Sequence, residues 1–139
     1  MPVFISQTES ETARIAAEIA RAAKPGDIYA LRGNLGAGKS VFARAFVQSL
    51  MEADIDVPSP TFTLVQTYDA PTAMIWHFDL YRLKDPEEIY EIGWEEAISD
   101  GICLIEWPER LGTLAPTSMQ HIHIEITGAH SRSIRMDDV

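Results

Sequence analysis

Residues Gly33-Asn34-Leu35-Gly36-Ala37-Gly38-Lys39-Ser40 constrain this chain more than any other stretch. They read GxxxxGKS, the phosphate-binding loop known as Walker A. Glycines let the backbone curl until consecutive N–H groups point into one concavity. Lys39 would lie along the β- and γ-phosphates as a point charge, and the Ser40 hydroxyl would hold Mg²⁺. A helix starting here would aim the positive end of its dipole at the phosphates. The motif requires a strand before it and a helix after it, and both signals are present. Ile28-Tyr29-Ala30-Leu31 is a short apolar strand candidate entered through Pro25-Gly26-Asp27. Val41 to Met51 is predicted helical, with Phe42, Ala45, Phe46, Ser49 and Leu50 on one face. The plain alternative is a glycine turn before an amphipathic helix; the strand–loop–helix context favours the phosphate loop.

A chain of 139 residues, 46% of them apolar, is expected to form one packed domain over residues 1–139. Its net charge of −10, from 11 basic and 21 acidic residues, argues against a standing nucleic-acid surface. Cys103 is the only cysteine, so neither an intrachain disulfide nor a cysteine metal cluster is available. It lies in an apolar run and reads as a buried thiol. No apolar stretch approaches the ~18 residues that cross a membrane. The N-terminus lacks a basic start followed by an apolar core, so no signal peptide is expected and a cytoplasmic location is.

In chain order, Val3-Phe4-Ile5 is a strand candidate. Thr8 or Ser10 can cap a helix with Glu9 and Glu11 in its first turn, Ile15, Ala16, Ile19 and Ala20 on its apolar face, and an end near Ala23. After the loop helix, Pro58-Ser59-Pro60 keeps the chain extended, and a strand is predicted from Phe62 to Tyr68. Thr61 or Thr63 could present a hydroxyl that senses a γ-phosphate, with a proline-rich connector as the alternative. Met74 to Asp79 is a strand, Pro86 to Ile92 a helix broken by Gly93, and Trp94 to Ile98 a further helical turn. Trp94 is either an exposed contact or a core residue. Gln120 to Ile126 alternates strictly, which puts His121 and His123 on one wet face, where exposure is the expectation rather than metal binding. Gly128-Ala129-His130 is a turn, and Ser131 to Met136 returns as a hairpin partner.

Two carboxylates stand out. Asp79 ends one apolar strand, and Glu106 ends the most apolar one, Ile102 to Glu106. In an open α/β sheet that edge is where ligands bind. One acid would hold Mg²⁺ and the other would orient or deprotonate an attacking water. The architecture expected is a three-layer α/β domain: a mostly parallel central sheet, helices on both faces and an antiparallel C-terminal hairpin.

Four segments in order now match a known family. They are Gly33 to Ser40, Ser59-Pro60-Thr61-Phe62-Thr63-Leu64-Val65, His77-Phe78-Asp79-Leu80-Tyr81-Arg82-Leu83, and Ile102-Cys103-Leu104-Ile105-Glu106-Trp107-Pro108-Glu109. The chain resembles the TsaE (YjeE) family of small bacterial ATPases required for threonylcarbamoyladenosine formation in tRNA. The likeness spans nearly the whole chain and implies the P-loop NTPase fold, with ATP and Mg²⁺ as cofactors. It implies TsaB and TsaD as partners, with tRNA met only through that complex. Thr61 is then the switch hydroxyl, Asp79 the acid needed for hydrolysis, and Glu106 the Mg²⁺ acid beside Ser40. Gly33, Asn34, Leu35, Gly36, Ala37, Gly38, Lys39 and Ser40 bind the phosphates, Val41 belongs to the same nucleotide-binding set, and Trp107 lies beside the nucleotide. By position rather than motif, Thr8 and Glu9 and the turn at Ser131-Arg132 frame the adenine. Ser40 stands where threonine is commoner, and Asn34 where an acid is frequent.

Other readings need features of their own. A small-molecule kinase needs an acceptor pocket and an arginine-bearing lid, for which only Arg82 and Arg110 are available. A GTPase switch usually carries Asn-Lys-x-Asp and Asp-x-x-Gly, and neither string occurs. A nucleotide-gated scaffold, in which binding rather than turnover matters, shares every motif with the ATPase.

Overall fold

Side chains alternate along the central strands, and each set meets a different helical layer. The computed structural model describes residues 3–34 and 36–137. Its strands are β1 (Val3–Ser6), β2 (Ile28–Arg32), β3 (Val65–Asp69), β4 (Met74–Asp79), β5 (Ile102–Glu106), β6 (Gln120–Ile126) and β7 (Arg132–Asp137). Its α-helices are α1 (Glu9–Arg21), α2 (Lys39–Met51) and α3 (Trp94–Asp100), joined by 3₁₀ segments at Pro86–Ile92 and Pro108–Leu114. Tyr29 and Leu31 of β2 and Ile102 and Leu104 of β5 pack with Ile15, Ile19, Phe42 and Phe46 of α1 and α2. The alternate residues Ile28, Ala30, Cys103 and Ile105 pack with Ile89, Trp94, Ala97 and Leu111 on the opposite face. Trp94 is therefore core. Burial also pushes the Cys103 thiol up to about 12.

The seven strands lie in the order β1-β7-β6-β2-β5-β4-β3. Strands β6, β2, β5 and β4 run parallel. β3 pairs antiparallel with β4, β7 with β6, and β1 with β7. The four central strands are parallel and the C-terminal hairpin is antiparallel, as expected, while the added antiparallel pairs at β3 and β1 make the sheet as a whole mixed. Short connections make the difference: β3 returns directly into β4, and β6 into β7, and a short link can join only antiparallel neighbours. Among the described residues no helix is long and apolar enough to cross a membrane.

Several predicted boundaries move. Thr8 is the N-cap of α1, its hydroxyl accepting from the Glu11 amide at 3.1 Å. The strand predicted from Phe62 starts only at Val65. The Leu64 amide donates to the Pro60 carbonyl at 2.7 Å, and Leu64 itself is left-handed at φ 69°. That turn projects Phe62 outward, 81% exposed. On α2 the most buried residues are Phe42, Ala43, Phe46 and Val47, and the predicted Ala45 and Leu50 pack half-buried against the same core, because the helix faces both the sheet and α1.

Phe46 is fully buried, edge-on to Tyr29 with ring centroids 5.3 Å apart and stacked on Phe42 at 6.2 Å. Phe46→Ala should cost about 3–5 kcal/mol of stability, read from urea unfolding midpoints.

Candidate functional site

The site is assembled at the C-terminal ends of three neighbouring parallel strands. Register aligns Leu31 of β2 with Glu106 of β5, and Glu106 with Asp79 of β4. β2 runs straight into the loop, which approaches β6 so closely that a Cβ on Gly33 would lie 2.7 Å from the Ile124 carbonyl. Gly36 and Gly38 are left-handed, at φ 83° and 106°, a conformation that favours glycine. Gly38 then caps α2 with no side-chain hydrogen bond, so the first-turn amides are left for an external acceptor. Asn34 and Ser40 are exposed, and Ala37 is buried. Leu35, predicted to bind phosphate, lies outside the described residues.

Lys39 is buried, only 8% exposed. Its ammonium lies 4.0 Å from the centroid of the Trp107 ring. No ion pair to Lys39 is formed among the described residues, and its ammonium rests against the Trp107 ring. Trp107 is left-handed at φ 58°, a strained position for a bulky side chain. Its ring also meets Tyr81 at 4.9 Å.

Both acids are buried, Asp79 at 5% and Glu106 at 7% exposure. Asp79 Oδ2 accepts from the Thr61 hydroxyl, and Oδ1 from the Tyr81 amide, both at 3.1 Å. Glu106 Oε2 lies 2.7 Å from Nε2 of His77. Lys39, Ser40, Thr61, Asp79, Glu106 and Trp107 all line one cavity of about 620 Å³. Its donors Ser40, Thr61, Asp79 and Glu106 are hard oxygens, which suit Mg²⁺. Among the described residues no group of three His, Cys, Asp or Glu side chains forms a metal cage. Mg²⁺ bound with substrate phosphates needs only one or two protein oxygens, so the donor set fits it.

A second cavity of about 560 Å³ lies across the loop, lined by Thr8, Glu9, Gly36, Val41, His130 and Arg132, among others. Thr8, Glu9, Val41 and Arg132 thus line one space, but the Arg132 guanidinium is also committed to the loop. Its Nε donates to the Ala37 carbonyl at 3.0 Å and its Nη2 to the Gly36 carbonyl at 3.4 Å. The guanidinium braces the loop through its carbonyls.

Thr63 does not line the larger cavity; its hydroxyl accepts from the Gln66 side chain at 3.2 Å. Thr61 is the threonine that reaches the acids. Tyr81 and His77 received no role from the sequence. The two-residue spacing of His77 and Asp79 puts both on one face of β4, which was the available signal. His121 and His123 are half-buried rather than freely wet. Arg32 Nε donates to His121 Nδ1 at 3.0 Å, and His123 Nε2 pairs with Asp137 at 3.0 Å.

With this geometry in place, the comparisons with known proteins are specific. The family described as "Threonylcarbamoyl adenosine biosynthesis protein TsaE" matches residues 6–134. The chain belongs to the TsaE family. Its relatives include the tRNA threonylcarbamoyladenosine biosynthesis protein TsaE of Rickettsia felis, 41% identical over 94% of this chain and 76% of that one. The Bacillus subtilis TsaE is 38% identical over 89% and 77%. The crystal structure of Bacillus subtilis YdiB superposes with a TM-score of 0.81 at 30% identity, covering 99% of this chain and 85% of that one. This TsaE-family chain therefore shares with YdiB the mixed α/β architecture that brings the strand ends together.

Burial, the Arg32 guanidinium and His123 together hold His121 below its ordinary value of 6.5. The unfolded chain then takes up this proton at a higher pH than the folded one. Stability should fall as pH drops through about 6.5 and level off below the folded value. His121→Gln should flatten that slope in urea midpoints measured between about pH 7.5 and 5.

Proposed function

We propose that this chain is a Mg²⁺-dependent ATPase that supports a TsaB–TsaD pair in forming threonylcarbamoyladenosine in tRNA. The observation that carries the ATPase reading is Lys39, a buried cation without a carboxylate partner in the described residues, at the uncapped start of α2 and in one cavity with two buried acids. An anion with several negative oxygens is the ligand such a site lacks. The family's role in tRNA threonylcarbamoyladenosine biosynthesis supports the pathway. Asn34 through Val41 would wrap the phosphates within a P-loop NTPase fold, and the cavity at Thr8, Val41 and Arg132 would take the base. Ser40 and Glu106 would hold Mg²⁺, which when bound neutralises charge on the β- and γ-phosphate oxygens.

Asp79 is the candidate to orient the attacking water and accept its proton. In this structure both its oxygens are taken, by Thr61 and by the Tyr81 amide. Turning of Thr61 toward a γ-phosphate would leave Oδ2 wholly to the water. That coupling fits an enzyme slow alone and stimulated by partners that hold the Thr61 segment in its turned position. The net charge of −10 fits partners, rather than this chain, holding the tRNA.

Lys39→Ala should lower nucleotide affinity by about 100-fold or more, a loss of the order of a buried charged contact. Asp79→Ala should leave affinity within a few-fold and lower turnover by about 100-fold or more. Equilibrium binding of a non-hydrolysable analogue and phosphate release, with and without TsaB–TsaD and tRNA, separate the two effects. Full-rate hydrolysis by the isolated chain, indifferent to TsaB–TsaD, would rule the partner-driven reading out. Wild-type tRNA modification by Asp79→Ala would make binding, not turnover, the essential act.

A further inference from the structure

His77 sits inside the strand that carries Asp79, and nothing above uses it. The ring is only 2% exposed, flanked by Ile75 and paired in register with Leu104, where an apolar residue would be the cheaper choice. Its Nε2 lies 2.7 Å from Glu106 Oε2. A carboxylate only accepts, so the ring N–H donates. Its Nδ1 is buried without a partner. A buried ring with one nitrogen unsatisfied is costly, and the bond to Glu106 is the one hydrogen bond that offsets it among the described residues. Glu106 in turn keeps Oε1 free of any hydrogen bond among the described residues.

We infer that His77 is a positioning residue for Glu106: it holds Oε2 and so assigns Oε1 to the ligand in the phosphate cavity. The inference rests on the reading that Glu106 serves Mg²⁺. It also separates the two acids. Asp79 is held by a threonine hydroxyl on a loop, which can leave, whereas Glu106 is held by a ring packed within the sheet, which cannot. A ligand to a cation benefits from that fixity, because groups behind a ligand set its orientation and affinity.

The test compares His77→Leu and His77→Gln with wild type. Calorimetric titration of a non-hydrolysable ATP analogue, with and without Mg²⁺, supplies a readout independent of turnover. Turnover across a Mg²⁺ series supplies the other. His77→Leu should bind the metal-free analogue as wild type does, need about tenfold more Mg²⁺ for half-maximal effect, and lower kcat more than KM. His77→Gln, whose amide can place an N–H where Nε2 stood, should recover most of the loss. Adding His77→Leu to Glu106→Gln should cost no further Mg²⁺ affinity. Equal losses with and without Mg²⁺, or no recovery in His77→Gln, would overturn the positioning role and leave a packing role. If Glu106→Gln alone leaves the Mg²⁺ requirement unchanged, the assignment of Glu106 fails and the role of His77 falls with it. Should His77→Leu not fold, His77→Gln is set against His77→Asn, whose shorter amide falls short of Oε2. A retained Mg²⁺ requirement in the first and a raised one in the second supports the role, and identical requirements overturn it.

Discussion

Two buried carboxylates and one buried ammonium share a single cavity, and the parallel register of three strands puts them there. Leu31, Glu106 and Asp79 form one row across β2, β5 and β4. The chain must leave that row through connections on the same edge. β2 leaves through the glycine loop into α2, β5 through Trp107, and β4 through Tyr81. Helices cover both faces of the central strands, so the C-terminal edge is where ionisable groups gather without entering the apolar layers. A slip of one residue in β5 would turn Glu106 to the other face and dismantle the site.

Holding charge in this way costs stability, and the structure shows where. Trp107 and Leu64 are both left-handed, one beside each acid-bearing strand. Leu64 accepts from the Asp79 amide at 2.9 Å, and the Leu80 amide donates to the Glu106 carbonyl at 3.1 Å, so backbone bonds tie the strained segments to the strand ends. Such strain persists only where the surroundings over-determine it, and here it aims a tryptophan at Lys39 and a threonine at Asp79. Arg132 contributes from the far side of the loop. By donating to the Gly36 and Ala37 carbonyls it braces the loop between β2 and α2.

The TsaE family works in tRNA threonylcarbamoyladenosine biosynthesis, and this chain is a member. This member carries a net charge of −10, which repels an RNA backbone on average. The cavity gathers the start of α2, Lys39 and the oxygens of Ser40, Thr61, Asp79 and Glu106, a set far too local to span a tRNA.

Local chemistry accounts for what the sequence by itself determined. The glycine loop, a cap at Thr8 or Ser10, the strand runs and the acids ending β4 and β5 each depend on neighbouring residues and backbone preference, so they could be read residue by residue. The resemblance of four motifs to one family narrowed the role further. Tertiary structure alone decided the pairing of distant segments, because nothing local encodes which strands become neighbours. That is why the sheet is mixed, why β3 starts at Val65 and not at Phe62, and why Arg132 braces the loop. It is also why His77 lies behind Glu106, 29 residues away in sequence and 2.7 Å away in space. The loop was legible from its glycines alone, and long-range packing determined which buried groups stand around it and how firmly each is held.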